Sequence, residues 1–157
     1  MPVAEVVGLV NNRLNEDNEE ELFVTVFVCV LDTDTGKLTF VNGGHNKPFI
    51  SKEGKPFKQL DCKVDCAVGI MEDMPYREQS TELMPGDCFC LYTDGVPEAF
   101  DINGEMFSDQ GTEDALNRHM EEAKEPEIII ERIYEEVEAF TRGAAQSDDI
   151  TMVYLAR

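Results

Sequence analysis

Two short acidic motifs stand apart from the many dispersed charges of this chain. In Leu91-Tyr-Thr-Asp-Gly-Val-Pro-Glu-Ala99 an apolar run delivers Asp94 straight into a glycine, Gly95. In Gln146-Ser-Asp-Asp-Ile-Thr151 the pair Asp148 and Asp149 stands at the mouth of the last apolar run. A carboxylate at a strand end is held rigidly, and a hard divalent cation takes oxygen ligands in fixed positions. Two such carboxylates converging on one sheet edge from distant chain positions make half of a Mg²⁺ or Mn²⁺ site. The plainer reading is that Asp94-Gly95 is a turn and Asp148-Asp149 a polar strand entry. On pattern alone that reading is the commoner outcome.

The other candidates for chemistry are weaker. His45 lies in the glycine-flanked loop 43–48 and could contact a phosphate or act as an acid, whereas His119 reads as a helix-surface residue. Asp32-x-Asp34-x-Gly36 resembles the start of a calcium loop, but the glycine and the terminal glutamate such a loop needs would fall on Lys37 and Gly43. It reads as a hairpin turn. Asp101-Ile-Asn-Gly-Glu105 fails in the same way at Thr112. Cys62 and Cys66 lack a second Cys/His pair to complete four ligands, and Cys29, Cys88 and Cys90 sit in strand-like runs where a thiol acts as a small hydrophobe. Five structural thiols point to a reducing cytoplasm. No Gly-x-Ser-x-Gly elbow, Cys–His nucleophile context or lysine-bearing phosphate loop is present.

The elements that must position these residues follow from periodicity. Val3, Val6, Val7, Val10 and Leu14 recur at helical spacing after Pro2. The run 22–31 is rich in β-branched and aromatic residues and apolar on both faces, which predicts a central strand buried on two sides. The run 32–36 turns it into a hairpin with 37–42. Further strands are expected at 49–51, 56–60, 78–83, 88–93 and 150–155. Thr112 can cap a helix carrying Ala115, Leu116, Met120 and Ala123 on one face. Pro126 can open another carrying Ile130, Ile133, Tyr134, Val137 and Phe140, with Gly143 at its end. The sum is an α+β layered fold of antiparallel strands covered by helices.

A length of 157 residues suits one domain, with no repeat or linker. Thirteen Lys+Arg against 33 Asp+Glu give a formal net charge of −20. Such a surface repels phosphate backbones, so nucleic acid and anionic membranes are poor partners. No run approaches the roughly 18 apolar residues that span a bilayer.

In order, Phe23-Val-Thr25, Gly36-x-Leu-x-Phe-Val-Asn-Gly-Gly-His-Asn46, Leu83-x-Pro-Gly-Asp87, Leu91-Tyr-Thr-Asp-Gly-Val96 with Glu98-Ala99, and Ser147-Asp-Asp-Ile-Thr151 cover nearly the whole chain. Together they resemble the bacterial stage II sporulation protein E-type branch of the metal-dependent (type-2C-like) serine/threonine protein phosphatases. The resemblance implies an antiparallel β-sandwich flanked by helices. It also implies a pair of Mn²⁺ or Mg²⁺ ions whose bridging water attacks the phosphorus of phosphoserine or phosphothreonine. Asp94 and Asp148 match metal-ligand positions, with Gly95, His45 and Asp149 near the site. The implied substrates are phosphorylated regulatory proteins, notably anti-anti-sigma factors.

One departure accompanies the resemblance. The family pattern begins earlier, with a glycine-rich motif whose Asp bridges the two metals, and nothing in residues 1–22 matches it. Residues 1–157 are therefore expected to form the C-terminal portion of a single phosphatase domain, incomplete at the N-terminus. They would hold at best one metal weakly, so the activity of the chain alone is in doubt. The surface left open predicts a homodimer or a complementing segment. The competing readings are a non-catalytic module of the same fold that binds a regulatory protein, and an acidic face that binds cations only for stability.

Overall fold

The computed structural model describes residues 1–16 and 18–157, which divide by their contacts into two compact units. The first comprises Met1–Lys47 and Asp61–Leu83, the second Pro48–Leu60 and Met84–Arg157.

The first unit contains helix α1 (Val3–Asn15) and a three-stranded antiparallel sheet. Its strands are β1 (Val26–Leu31), β2 (Lys37–Gly43) and β5 (Gln79–Glu82), in the order β1-β2-β5. The β1–β2 hairpin pairs Val26 with Gly43 through to Leu31 with Leu38. Its turn is closed by the Asp32 carboxylate, which accepts hydrogen bonds from the N–H groups of Asp34 and Thr35 at 3.0 and 2.9 Å. The carboxylate is thus spent on the turn, as the sequence predicts. Val3 and Val7 of α1 pack with Val41 and Val68. One turn further along the same helix face stands Asn11, fully buried. Its side chain bonds the carbonyl of Met71, the N–H of Gly69 and the Tyr76 hydroxyl, which ties the segment 69–76 to the helix.

One sequence expectation is corrected in this unit. The strand expected at 22–31 is shorter and lies at the edge of its sheet, and Val30 is exposed rather than buried on two sides. Strand order, which composition does not encode, decides how much of an apolar strand is covered. In α1 Val3, Val7 and Asn11 are buried, while Val6, Leu9, Val10 and Leu14 are exposed.

The second unit carries a four-stranded antiparallel sheet in the order β4-β3-β6-β7. Its strands are β3 (Phe49–Ser51), β4 (Lys58–Gln59), β6 (Cys88–Tyr92) and β7 (Met152–Ala156). Helices α2 (Ser108–Arg118) and α3 (Pro126–Thr141) belong to the same unit. Cys88, Cys90 and Tyr92 alternate onto one face of β6 and pack with Leu116 of α2 and Ile129, Ile133 and Val137 of α3. Asn117 of α2 bonds the N–H and the carbonyl of Phe57 at 2.6 and 3.1 Å, satisfying backbone beside β4.

Pro126 occupies the first turn of α3, where its missing N–H costs nothing, and the helix ends through left-handed Arg142 and Gly143. The cap expected at Thr112 is not one. α2 begins at Ser108, and Thr112 is buried inside the helix with its hydroxyl donating to the Ser108 carbonyl at 3.0 Å. The α+β class with antiparallel sheets and helices is the one expected.

Candidate metal centre

Antiparallel pairing of β6 with β7 brings the two acidic motifs to the same end of one strand pair. The ladder runs from Cys88 opposite Ala156 to Tyr92 opposite Met152. It extends one step further, with the Thr93 N–H donating to the Thr151 carbonyl at 3.0 Å. Beyond that step one chain turns away at Asp94 and the other arrives through Asp148 and Asp149.

Thr93 ties the arriving and departing chains together. Its hydroxyl donates to the Asp149 carbonyl and accepts from the Thr151 N–H, both at 2.9 Å. Ser147 donates to the Glu98 carbonyl at 2.9 Å, and Gln146 reaches the Asp148 carbonyl at 2.7 Å. After Asp94 the backbone closes a helical turn, the Glu98 N–H reaching the Asp94 carbonyl at 2.8 Å. Behind the loop, the buried Tyr92 hydroxyl donates to Asp109 of α2 at 2.9 Å. Burial first, and then the neighbouring Asp109 carboxylate, hold this phenol well above its ordinary titration range.

Gly95 is required by proximity rather than by backbone angle. A Cβ placed on it would lie 2.5 Å from the Asp149 carbonyl oxygen and 3.2 Å from that of Asp148. Only a residue without a side chain lets the two loops touch at this point.

The structure thus gathers Asp94, Gly95, Asp148 and Asp149 at one site in the second unit. His45 belongs to the first unit, where its N–H donates to the Asn42 side chain at 2.8 Å. Thr93 and Ser147 are the positioning residues that the sequence reading passed over. The signal available for them was a hydroxyl residue directly preceding each acidic position, which is also common in ordinary turns.

Asp94, Asp148 and Asp149 are exposed, and among the described residues none of them forms an ion pair with a lysine, arginine or histidine. One Asp148 oxygen accepts the Asp149 N–H at 2.7 Å, which fixes that carboxylate and leaves its second oxygen available. Hard anionic oxygens without a cationic neighbour have the right chemistry for Mg²⁺ or Mn²⁺. Their number does not complete a site, since no cluster of three or more His, Cys, Asp or Glu side chains is arranged around a metal position among the described residues.

Comparison with known proteins shows the family of the chain. Protein IcfG of Synechocystis sp. is 31% identical over 153 residues, covering 96% of this chain and 23% of that protein. Phosphoserine phosphatase RsbU of Bacillus subtilis is 26% identical over 148 residues, covering 93% of this chain and 43% of RsbU. The chain therefore spans less than half the length of either relative. Among solved structures, the SiaA-PP2C domain of Pseudomonas aeruginosa superposes with a TM-score of 0.80 at 22% identity, over 99% of this chain and 61% of that one. This likeness shows the fold. The family model for Stage II sporulation protein E (SpoIIE) matches residues 1–157, and the chain belongs to that family of PP2C-type phosphatase domains.

Proposed function

We propose that the chain is part of a protein phosphatase that removes phosphate from phosphoserine or phosphothreonine on a regulatory protein, such as an anti-anti-sigma factor, in a divalent-metal-dependent reaction. The observation that carries this reading is the meeting of the Asp94 and Asp148 loops, locked through Thr93 and packed without a gap at Gly95. Asp94 and Asp148 would hold Mn²⁺ or Mg²⁺, with Asp149 and Gly95 beside it. When bound, such ions lower the pKa of a coordinated water and neutralise phosphoryl oxygens. The residues of this chain orient the ligands. Thr93 and Ser147 fix the two backbones, the Asp149 N–H holds one Asp148 oxygen, and the Asp94 carbonyl is tied into a helical turn.

The family match runs through both compact units, which supports placing them in one phosphatase domain. Five free cysteines support a reducing, cytoplasmic location, and among the described residues no helix is long and apolar enough to cross a membrane. The exposed Val6, Leu9, Val10 and Leu14 of α1, with nearby Leu22 and Phe23 in the chain, support self-association.

Two carboxylates hold a metal weakly, so hydrolysis by residues 1–157 alone is expected to be slow. The test is Mn²⁺-dependent hydrolysis of p-nitrophenyl phosphate by these residues and by a longer chain carrying more upstream sequence. Metal-dependent turnover that is abolished by Asp94→Asn supports the reading. Absence of turnover in both chains, with retained binding of a regulatory protein, favours a non-catalytic module of the same fold.

A further inference from the structure

A cavity of about 350 Å³ opens beside the Asp94 and Asp148 loops, and no role has yet been assigned to it. Ala99, Val137 and Ile150 are part of its apolar lining, and residues 143–147 also line it. Gly95 and Ser147, which flank the candidate metal ligands, are part of the same wall. Two partly exposed aromatic residues also line it, Phe100 at 39% and Tyr134 at 42% exposure. Among the described residues, the one charged residue in the lining is Glu138. Its carboxylate is exposed and forms no ion pair among the described residues, while its carbonyl is used by Arg142 and Thr141.

We propose that this cavity receives an arginine side chain of the phosphoprotein substrate, placed a few residues from the phosphorylated position. Its volume lies at the lower end of ligand pockets, which suits one long side chain better than a cofactor. An apolar channel lined by Ala99, Val137 and Ile150 takes the aliphatic stem of such a residue. The planar guanidinium can stack on Phe100 or Tyr134 and bond Glu138, a combination lysine meets less well. Among the described residues, no lysine, arginine or histidine lines the cavity to oppose it. Gly95 and Ser147, which it shares with the candidate centre, place the pocket beside Asp94 and Asp148. The occupant therefore rests on the phosphatase reading, whereas the preference for arginine rests on the cavity itself.

The test uses fluorescein-labelled, alanine-based peptides carrying a non-hydrolysable phosphonate analogue of phosphoserine, with a single arginine stepped along both flanks. Binding to the chain is followed by fluorescence anisotropy in the presence of Mn²⁺. At one position, or at two neighbouring ones, arginine is expected to tighten binding about fivefold over alanine. Norleucine at that position should recover little of the gain. Tyr134→Ala and Glu138→Gln, both at exposed positions, should each remove most of it with an unchanged circular dichroism spectrum. An equal gain at every position, indifferent to both variants, would reduce the effect to diffuse attraction by the acidic surface and overturn the proposal. An equal gain from norleucine would also overturn it. Peptides without the phosphonate separate the two readings. If the arginine step survives and the phosphonate adds nothing, the phosphatase reading fails and the pocket stands. If the phosphonate contributes but no arginine step appears, the pocket alone fails.

Discussion

Replacing Gly95 with alanine tests the central geometric claim, that the Asp94 and Asp148 loops are in backbone contact. The added Cβ would lie 2.5 Å from the Asp149 carbonyl oxygen, 2.9 Å from its carbon and 3.2 Å from the Asp148 carbonyl oxygen. Ordinary van der Waals contact begins at 3.4 Å, so the nearest atoms must separate by roughly 0.9 Å. All three obstacles are backbone, so no side chain can swing aside to relieve the clash. The backbone that would move is held by the Thr93 hydroxyl, the Gln146 amide and the β7 ladder. Overpacking of this kind costs about 1–3 kcal/mol, which for a chain of this size lowers Tm by about 3–10 °C. The same displacement moves Asp148 relative to Asp94 and should weaken Mn²⁺ binding by at least about tenfold, given how sharply such sites depend on ligand placement. Thermal unfolding and isothermal titration with Mn²⁺, run on wild type and G95A, measure both effects. If G95A melts with wild type and binds Mn²⁺ equally well, the loops are not in contact and the site argument fails with them.

Three other perturbations check neighbouring parts of the account. Thr93→Val removes the bond to the Asp149 carbonyl and leaves the Thr151 N–H without its acceptor, so it should cost about 1–3 kcal/mol in urea denaturation and weaken Mn²⁺ binding. Thr93→Ser should stay close to wild type, and identical behaviour of the two variants would refute the hydroxyl's role. Gly8 lies mid-helix in α1 with nothing within 4 Å of an added Cβ, so Gly8→Ala should stabilise the chain by about 0.5–1 kcal/mol. A fall in the urea midpoint of that variant would mean the helix face is covered. Burial raises the Cys90 thiol from 9.0 to about 12. The folded chain keeps that proton while the unfolded chain loses it, so this contribution is intact below pH 9 and declines above it by about 1.4 kcal/mol per pH unit. Tyr92 and Tyr154, also raised by burial, add to the decline above pH 10. Urea midpoints against pH should therefore fall less steeply for Cys90→Ala between pH 9 and 10, and an unchanged slope would show that Cys90 ionises freely in the fold.

How much of this was legible in the sequence depends on the distance over which each feature is encoded. A hairpin closed by Asp32 and Gly36, a helix opened by Pro126 and a strand that leads into Asp94-Gly95 through Thr93 are local statements, written in neighbouring residues. The helix cap was misplaced because Ser108 and Thr112 are both cap-type residues one turn apart. Ser108 lies at the helix start with a positive φ of 71°, a choice made by the loop packed before it rather than by its own propensity. On α3 the sequence offers several apolar residues on adjoining faces. The buried stripe is Ile129, Ile133 and Val137, which leaves Tyr134 outside, where it becomes a wall of the cavity.

The candidate centre itself shows the same division. Each acidic motif could be recognised alone, but Thr93 acquires its role from Asp149 and Thr151, more than fifty positions away in the chain. The step from two local motifs to one site was supplied by the pairing of β6 with β7, which local periodicity does not specify. The cavity is the extreme case, because its lining comes from stretches near 95–100, 134–141, 143–147 and 150, none of which looks unusual by itself. A specificity pocket assembled in this way can change without altering either acidic motif. Tyr134→Ala and Glu138→Gln are therefore expected to alter peptide preference while leaving Mn²⁺ binding unchanged, and anisotropy beside isothermal titration measures the two separately.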